Sequence, residues 1–276
     1  MIIMVRSIYN KYKNELLLRQ PSEEEVKELI EKLNSVYSRT KLDKMKARLM
    51  ANEILRLLKP HMSYKDLNKL TGVPESILCR YVRGNIIPSY EQAINILSRI
   101  SLSTDLDSLL RNLVLSEKST IIDLSRVMKD PYIIRLLTIL LSIELAGKNI
   151  SKIIATSESV LPLATMLGLE LNSSLVLVKR RMYPGIQYYS AIIIRGPRAS
   201  ETIYIDKDLV NRRDQLLVLA DVVYTGKTLE AVLNLLSKAR AQIVDIIATM
   251  SGTAYLRALA PLAGALITAN PFSHSL

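Results

Sequence analysis

The sequence predicts two domains: an all-α domain over residues 1–118, followed by an α/β domain with a mainly parallel sheet over residues 119–276. Apolar residues recur with helical spacing in the first range, whereas short β-branched runs alternate with helical patterns in the second. A polar segment, Ser116 to Thr120, separates the two patterns. A chain of 276 residues also exceeds the usual size of one domain.

The composition indicates a cytoplasmic protein with an aliphatic core. Hydrophobic residues make up 49% of the chain, but aromatic residues only 5%. Cys79 is the single cysteine, which excludes an internal disulfide framework, and with two histidines we expect no metal centre. We identify no signal peptide. The most apolar segment, YIIRLLTILLSIELAG, is shorter than a bilayer span and contains two charges, so it predicts a buried helix.

The charge favours a polyanionic partner. The formal net charge is +11, and residues 39–83 contain 11 Lys and Arg against 4 Asp and Glu, a local excess of +7. A basic stretch of this kind fits nucleic acid, although charge alone does not distinguish it from an ordinary solvated surface.

Two amphipathic helices are predicted ahead of and within this basic stretch. The first starts at Pro21-Ser22 with acids in its first turn, and we expect it to pack or to form a dimer contact. The second covers about residues 42–58. The expected inward residues are Val26, Leu29, Ile30 and Leu33 in the first helix, and Leu49, Ile54, Leu57 and Leu58 in the second.

The stretch HMSYKDLNKLTGVPESILCRYVRGNIIPSYEQAINIL has the pattern of a helix-turn-helix. Ser63 can cap a short helix that ends near Leu70, and Gly72 allows a tight turn. Pro74 suits the first position of a second helix, which Gly84 ends. The residues expected to fix the two helices against each other are Leu67, Val73, Leu78 and Tyr81. One more short helix is expected after Thr104.

The outward face of the second helix would enter the major groove of double-stranded DNA. There Arg80 can bind guanine bidentately and Ser76 can contact a base or a phosphate. The expected DNA-binding residues are Ser63, Lys65, Lys69, Glu75, Ser76, Cys79, Arg80 and Arg83. The run RYVRGNIIPSYEQAINIL resembles the Cro/repressor type of helix-turn-helix, whereas the alternative is a helical hairpin without a ligand.

The second half of the chain alternates strands with crossover helices. The predicted strands are KIIAT, SLVLVK, Ala191 to Ile194, ETIYI, LLVLAD and AQIVDIIAT, and the predicted helices are Pro131 to Ala146, Leu161 to Leu167 and one after Thr228. This order indicates a mainly parallel sheet, in which ligands bind at the carboxyl ends of the strands.

Polar loops follow three of these strands. TSESVLPLA offers hydroxyls and a helix amino terminus to an anion, KRRMYPGIQYY supplies cations, and ADVVYTGKTLE can wrap a phosphate and bind sugar hydroxyls through its acid. The expected ligand residues are Thr156, Ser157, Glu158, Ser159, Lys179, Arg180, Asp221, Tyr224, Thr225, Gly226, Lys227 and Thr228. Glu158 opposes tight anion binding unless it faces away or pairs with Arg180. Lys227 fits either phosphate contact or a solvated helix start.

With these motifs, residues 119–276 resemble a type I phosphoribosyltransferase domain, and Leu216 to Thr228 resembles the signature that binds phosphoribosyl pyrophosphate (PRPP). The resemblance implies that the Thr-Gly-Lys-Thr turn cradles the 5-phosphate and that Asp221 is the second of two acids that hold the ribose. Ala220 replaces the first acid, and Ser157 to Ser159 replace the glycines of the pyrophosphate loop. Because small misplacements of a reacting sugar lower the rate steeply, this implies ligand binding with impaired catalysis.

A helix-turn-helix ahead of such a domain resembles archaeal phosphoribosyltransferase-like transcriptional regulators, and it is similar in logic to the bacterial purine repressor. The resemblance implies a dimeric regulator of nucleotide or purine metabolism that binds promoter DNA and senses PRPP or a nucleotide. We expect no cofactor of its own, although Mg²⁺ can accompany PRPP. The alternative is an active phosphoribosyltransferase of nucleotide salvage with an accessory DNA-binding domain. A third interpretation is a scaffold that binds RNA through its basic half.

Overall fold

The computed structural model describes residues 20–104, 128–196, 198–223 and 226–251. These residues form two compact units: the first comprises residues 20–104 and 131–147, and the second comprises residues 128–130 and 148–251. The short helix expected after Thr104, the boundary expected at Ser116 to Thr120, and the expected ligand residues Tyr224 and Thr225 lie outside the described residues.

The described part of the first unit consists of helices. They are α1 (Glu23–Tyr37), α2 (Lys41–Leu58), α3 (Tyr64–Thr71), α4 (Glu75–Val82), α5 (Tyr90–Ser103) and α6 (Pro131–Glu144). Each of α1, α2 and α3 begins with a capping box, in which a hydroxyl accepts from the amide three residues on and the acid there accepts in return. The three N-cap residues are Ser22, Thr40 and Ser63. These pairs fix where the helices start.

Helices α3 and α4 lie on either side of a glycine turn, as the sequence predicts. Gly72 ends α3 with φ of 71°, a left-handed conformation that glycine adopts without strain. Pro74 is the N-cap of α4 rather than its first residue, because its ψ of 141° is extended. The four residues expected to hold these helices are all buried: Leu67, Val73, Leu78 and Tyr81.

Helix α6 packs in the core of the first unit. The sequence pattern placed it after residue 118, with the α/β domain, but Leu136, Ile139 and Ile143 share one buried cluster with residues of α2 and α5. A pair of close contacts between Arg135 and Glu53, the shorter at 2.7 Å, also joins α6 to α2. The helix is buried as expected. No helix of the described residues is long and apolar enough to cross a membrane.

The inward face predicted for α2 is wrong at one position. Ile54 and Leu58 are buried and Leu57 is partly buried, but the Leu49 side chain is 53% exposed. Leu49 lies on the same side of the helix as Leu42 and Met45, three and four residues apart in turn, and all three are exposed. Met50, Ala51 and Ala47 fill the core instead.

The second unit contains two sheets. Its strands are β1 (Lys152–Ala155), β2 (Ser174–Leu177), β3 (Tyr188–Gly196), β4 (Ala199–Asp206), β5 (Gln215–Val223) and β6 (Gln242–Ser251). A parallel four-stranded sheet has the order β2-β1-β5-β6, while β3 and β4 form a separate antiparallel hairpin. The helices are α7 (Leu161–Leu171) and α8 (Lys227–Ala239). The α/β fold with a mainly parallel sheet is therefore confirmed.

The core of this unit lies around β5 and α8. Residues Leu216 to Ala220 of the central strand β5 are at most 2% exposed, as expected for a parallel strand covered on both faces. Leu229, Val232 and Leu236 of α8 share a buried cluster with alternate residues of β5 and with Ile193 and Ile203 of the hairpin. Apolar burial on this scale fixes the strand ends from which the polar loops leave.

Candidate ligand site and candidate nucleic-acid interface

Two of the expected ligand loops meet at the carboxyl edge of the parallel sheet. β1 ends at Ala155 and β5 ends at Val223, and the Thr156 amide donates to Leu219 O at 3.1 Å. Ser157 Oγ donates to Asp221 Oδ2 at 3.1 Å, Ser159 Oγ donates to the same oxygen, and the two hydroxyl oxygens are 2.8 Å apart. The loop that offers hydroxyls to an anion therefore binds the acid expected to hold the ribose.

The remaining residues of the first loop differ in exposure. The Thr156 side chain is buried, with 3% exposure, so it supports the loop from inside. Glu158 lies in a short 3-10 helix, Glu158–Val160, and is exposed. Arg180 pairs with Glu201 instead of Glu158, at 2.7 Å. Glu158 therefore avoids opposing an anion by facing away from the loop and not by pairing with Arg180.

The cations that follow β2 are engaged by neighbouring side chains. Lys179 forms an antiparallel bridge with Tyr204 through the backbone, and its Nζ lies 5.3 Å from the ring centroid of Tyr183 and 5.7 Å from that of Tyr188. Such contacts hold an ammonium group without neutralising it. Tyr188 starts β3 and makes an edge contact with the Tyr204 ring, at 5.8 Å between centroids. It therefore serves strand packing.

The turn before α8 has the features of an anion site. Gly226 has φ of 67° and precedes the first turn of α8, and no side-chain hydrogen bond caps this end among the described residues. The amides of the first helical turn and the helix dipole favour an anion there. Thr228 Oγ1 accepts from Arg195 at 3.2 Å, whereas Lys227 Nζ reaches back to Ile194 O at 3.0 Å.

Ala220, which replaces the first signature acid, faces the core. It is 2% exposed and shares a buried cluster with Leu216, Val218 and Leu229. Asp221, its neighbour, is only partly buried because successive side chains of a strand point to opposite faces. Asp221 also lies inside β5, which continues to Val223, and not at its end as predicted.

The expected DNA-binding residues lie together on the outside of α3 and α4. Seven of them are exposed: Ser63, Lys65, Lys69, Glu75, Ser76, Arg80 and Arg83. Cys79 is partly buried. Burial raises the pKa of the nearby Tyr64 hydroxyl, and the hydrogen bond with Cys79 raises it further. Ser76, Arg80 and Arg83 are four and three residues apart, so they share one helix face.

Sequence reasoning missed the polar residues that hold these elements in place. Asn52 is 7% exposed and donates from Nδ2 to Tyr81 O at 2.8 Å, which satisfies a carbonyl at the end of α4. A lone asparagine within an apolar helix face is the only signal for it. Arg195 and Glu201 on the β3-β4 hairpin carry no local signal, since their role depends on a contact with α8 and the β2 loop. Within the described ranges, no group of three or more His, Cys, Asp or Glu could hold a metal ion.

The chain is similar to curated proteins that are named as hypoxanthine/guanine phosphoribosyltransferases or as HGPRTase-like proteins. The chain is 31% identical over 111 residues to a hypoxanthine/guanine phosphoribosyltransferase of Methanothermococcus okinawensis, which is 38% of this chain and 56% of the relative. It is 27% identical over 123 residues to HGPRTase-like protein 2 of Halalkalicoccus jeotgali, and the match covers 45% of this chain and 64% of the relative. It thus spans little more than half the length of these relatives. No family model matches the chain.

Solved structures similar to this chain include adenine phosphoribosyltransferases. The enzyme from Leishmania tarentolae has a TM-score of 0.48 and 17% identity, covering 59% of this chain and 82% of that one. The enzyme from Saccharomyces cerevisiae, complexed with adenine and an imino-altritol bisphosphate, has a TM-score of 0.47 and 18% identity, covering 56% and 93%.

Proposed function

We propose that the protein is a ligand-responsive transcription regulator, which binds promoter DNA through α3 and α4 and senses PRPP or a nucleotide through the phosphoribosyltransferase-like domain. The observation that carries the proposal is an exposed row formed by Ser76 and Arg80 on α4 and by the C-cap residue Arg83. The opposite face of α4 is fixed by buried Leu78 and Tyr81. A rigid helix with a polar, basic outer face suits the major groove.

The DNA interface also has the positive charge that duplex binding requires. Lys65 and Lys69 on α3 are exposed and suit phosphates beside the groove. Two recognition helices ordinarily read paired half-sites, so the proposed active form is a homodimer. Double-stranded DNA is favoured over RNA because the deep major groove of an RNA helix does not admit a recognition helix.

The sensor part of the proposal rests on the ligand site as it stands in this chain. Asp221, Ser157, Ser159 and Thr228 offer groups that bind a phosphorylated sugar, but the first acid is absent at Ala220. A catalyst needs both acids to orient the reacting sugar. A sensor needs only a different affinity for the ligand in each of two conformational states. Ligand binding would then be coupled to the affinity for DNA.

Arg80→Ala and Lys69→Ala test the DNA part of the proposal. Fluorescence anisotropy with genomic promoter fragments, at fixed salt and with nonspecific competitor, should show specific binding that PRPP or one nucleotide shifts. Arg80→Ala should weaken specific binding by about 1–3 kcal/mol and relax the preference among DNA sequences. Lys69→Ala should weaken binding to all DNA sequences alike and lower the slope of log K against log salt concentration by about one. Equal effects of the two variants on all sequences would reduce α4 to a nonspecific basic surface.

A second candidate is an active phosphoribosyltransferase of nucleotide salvage. It is favoured by the names of the relatives, since a hypoxanthine/guanine phosphoribosyltransferase is 31% identical over 111 residues. The test is release of pyrophosphate from PRPP and Mg²⁺ with hypoxanthine, guanine or adenine, followed over many turnovers. Steady turnover with one base would show that the protein is an enzyme and would overturn the proposal that it is a sensor. Its absence, together with measurable PRPP binding, would leave the sensor.

A further inference from the structure

One carboxylate joins two arginines beside the expected phosphate turn. Glu201 on β4 lies 2.7 Å from Arg180 Nη1 through one oxygen and 2.8 Å from Arg195 Nη2 through the other. Arg195 Nε donates to the second oxygen as well, at 3.2 Å. Arg180 follows β2 and Arg195 belongs to β3, so Glu201 brings together cations from two different elements.

The same arginines are next to groups expected to bind a phosphorylated ligand. Arg195 Nη2 also donates to Thr228 Oγ1 at 3.2 Å, in the first turn of α8. Arg180 Nη1 is buried and donates no hydrogen bond to any described residue, although it lies within ion-pair distance of Glu201. Its contact with Glu201 is therefore an ion pair without good hydrogen-bond geometry, and an anion whose oxygens lie along the N–H directions would bind this group more strongly.

We propose that Arg195 binds the phosphorylated ligand and that Glu201 is an internal anion which the ligand displaces. A phosphate at the amino terminus of α8 would lie beside Thr228, where Arg195 already donates. Its oxygens can take the place of Glu201 Oε2, which accepts from both Nε and Nη2 of Arg195, since the guanidinium fork binds phosphate as well as carboxylate. This inference rests on the proposed ligand site.

The two halves of the ligand site show the same arrangement. Asp221 accepts from the hydroxyls of Ser157 and Ser159, and Glu201 accepts from Arg195, so two internal carboxylates engage donors that a phosphorylated sugar needs. A ligand must displace Glu201 from Arg195, and its affinity is lowered by the free energy needed to break these hydrogen bonds and ion pairs. Glu201 thereby sets the concentration at which the site fills.

Calorimetric titration of the full-length chain with ribose 5-phosphate, and separately with inorganic pyrophosphate, tests the inference. Glu201→Gln keeps the shape of the side chain and removes its charge, so both probes should bind about threefold to fivefold more tightly, the range for a partly exposed ion pair. Arg195→Ala should weaken the binding of ribose 5-phosphate by about tenfold, as expected for the loss of a charged hydrogen bond. It should affect the binding of pyrophosphate less.

Two exposed positions away from the site provide matched controls. Asp208→Asn removes one negative charge from the same unit and Arg213→Ala removes one positive charge, so neither should change the affinity for either probe. Thermal melting of each variant shows whether it folds. Weaker or unchanged binding by Glu201→Gln would overturn the inference, since a purely structural ion pair lowers stability when broken and does not compete with a ligand.

The outcome separates the inference from the proposed function. If the wild-type chain binds either probe and Glu201→Gln binds it no better, the inference fails and the sensor remains. If neither chain binds either probe, the ligand site and the inference fail together. If only Glu201→Gln binds, Glu201 is shown to block the site. The anisotropy assay with Arg80→Ala tests DNA binding independently of all three results.

Discussion

Placing an acid at position 220, where the signature that Leu216 to Thr228 resembles has its first acid, should destabilise the second unit rather than create a working enzyme. In Ala220→Asp, a carboxyl group would replace a methyl group that is 2% exposed and lies in the cluster of Val218, Leu229 and Val232. Ala220 is paired with Ala248 of β6 within a parallel sheet. The new side chain would thus enter a close-packed aliphatic region.

The expected cost follows from desolvation. A polar group buried without a hydrogen bond costs roughly 2–7 kcal/mol, and an ionised carboxylate costs more, so the side chain would be protonated. Domains are stable by only about 5–15 kcal/mol, and 1 kcal/mol shifts Tm by about 2–4 °C at this size. We therefore expect Tm to fall by at least about 4 °C in thermal denaturation followed by circular dichroism.

Ala199→Asp is the matched control, because Ala199 is exposed at the start of β4. It makes the same chemical change and should alter stability by less than about 0.5 kcal/mol. An Ala220→Asp chain with the Tm of the wild type would refute the reasoning, since it would place residue 220 within reach of solvent and ligand. Turnover of PRPP by such a chain would further show that this one substitution had removed catalysis.

Two further predictions concern α3 and α4, which carry the residues proposed to bind DNA. Asn52→Ala should lower the free energy of unfolding by about 0.5–1.5 kcal/mol in urea denaturation, because Tyr81 O loses the side-chain donor and keeps the Gly84 amide; an unchanged midpoint would mean that water replaces the Asn52 amide. Gly72→Ala should cost about 1–2 kcal/mol, from the left-handed φ of 71° alone, since no heavy atom lies within 4 Å of the added Cβ. A neutral result, measured in the same way, would show that the turn relaxes to negative φ.

The sequence predicted those features that depend on neighbouring residues. Ser22 and Ser63 indicate where their helices begin because a capping box needs only four consecutive residues, and both boxes are present. Gly72 marks the turn because few other residues adopt its φ. The buried β5 is recognisable as a strand because its apolar run is continuous.

The features that the sequence did not predict depend on which elements meet. Leu49 has the spacing of a core residue, but α2 carries two apolar stripes and periodicity does not say which one is covered. Helix α6 is apolar nearly all round, so its pattern gives no partner, and its chain position suggested the wrong one. Glu201 and Arg195 form a cluster with Arg180 only because the residues after β2 pair with β4 through the Lys179–Tyr204 bridge, a contact that no local pattern encodes.

Helix α6 belongs to the first unit although it follows residues 128–130 of the second, and this order affects how the protein folds during synthesis. Glu53 on α2 and Arg135 on α6 are 82 residues apart. The core of the first unit therefore lacks the contacts that α6 supplies until α6 has left the ribosome. At about 5–20 residues per second, the nascent helices wait several seconds with an apolar surface open. The helical unit should thus depend on chaperones during synthesis more than its local contacts suggest, and a fragment that stops before Pro131 should aggregate.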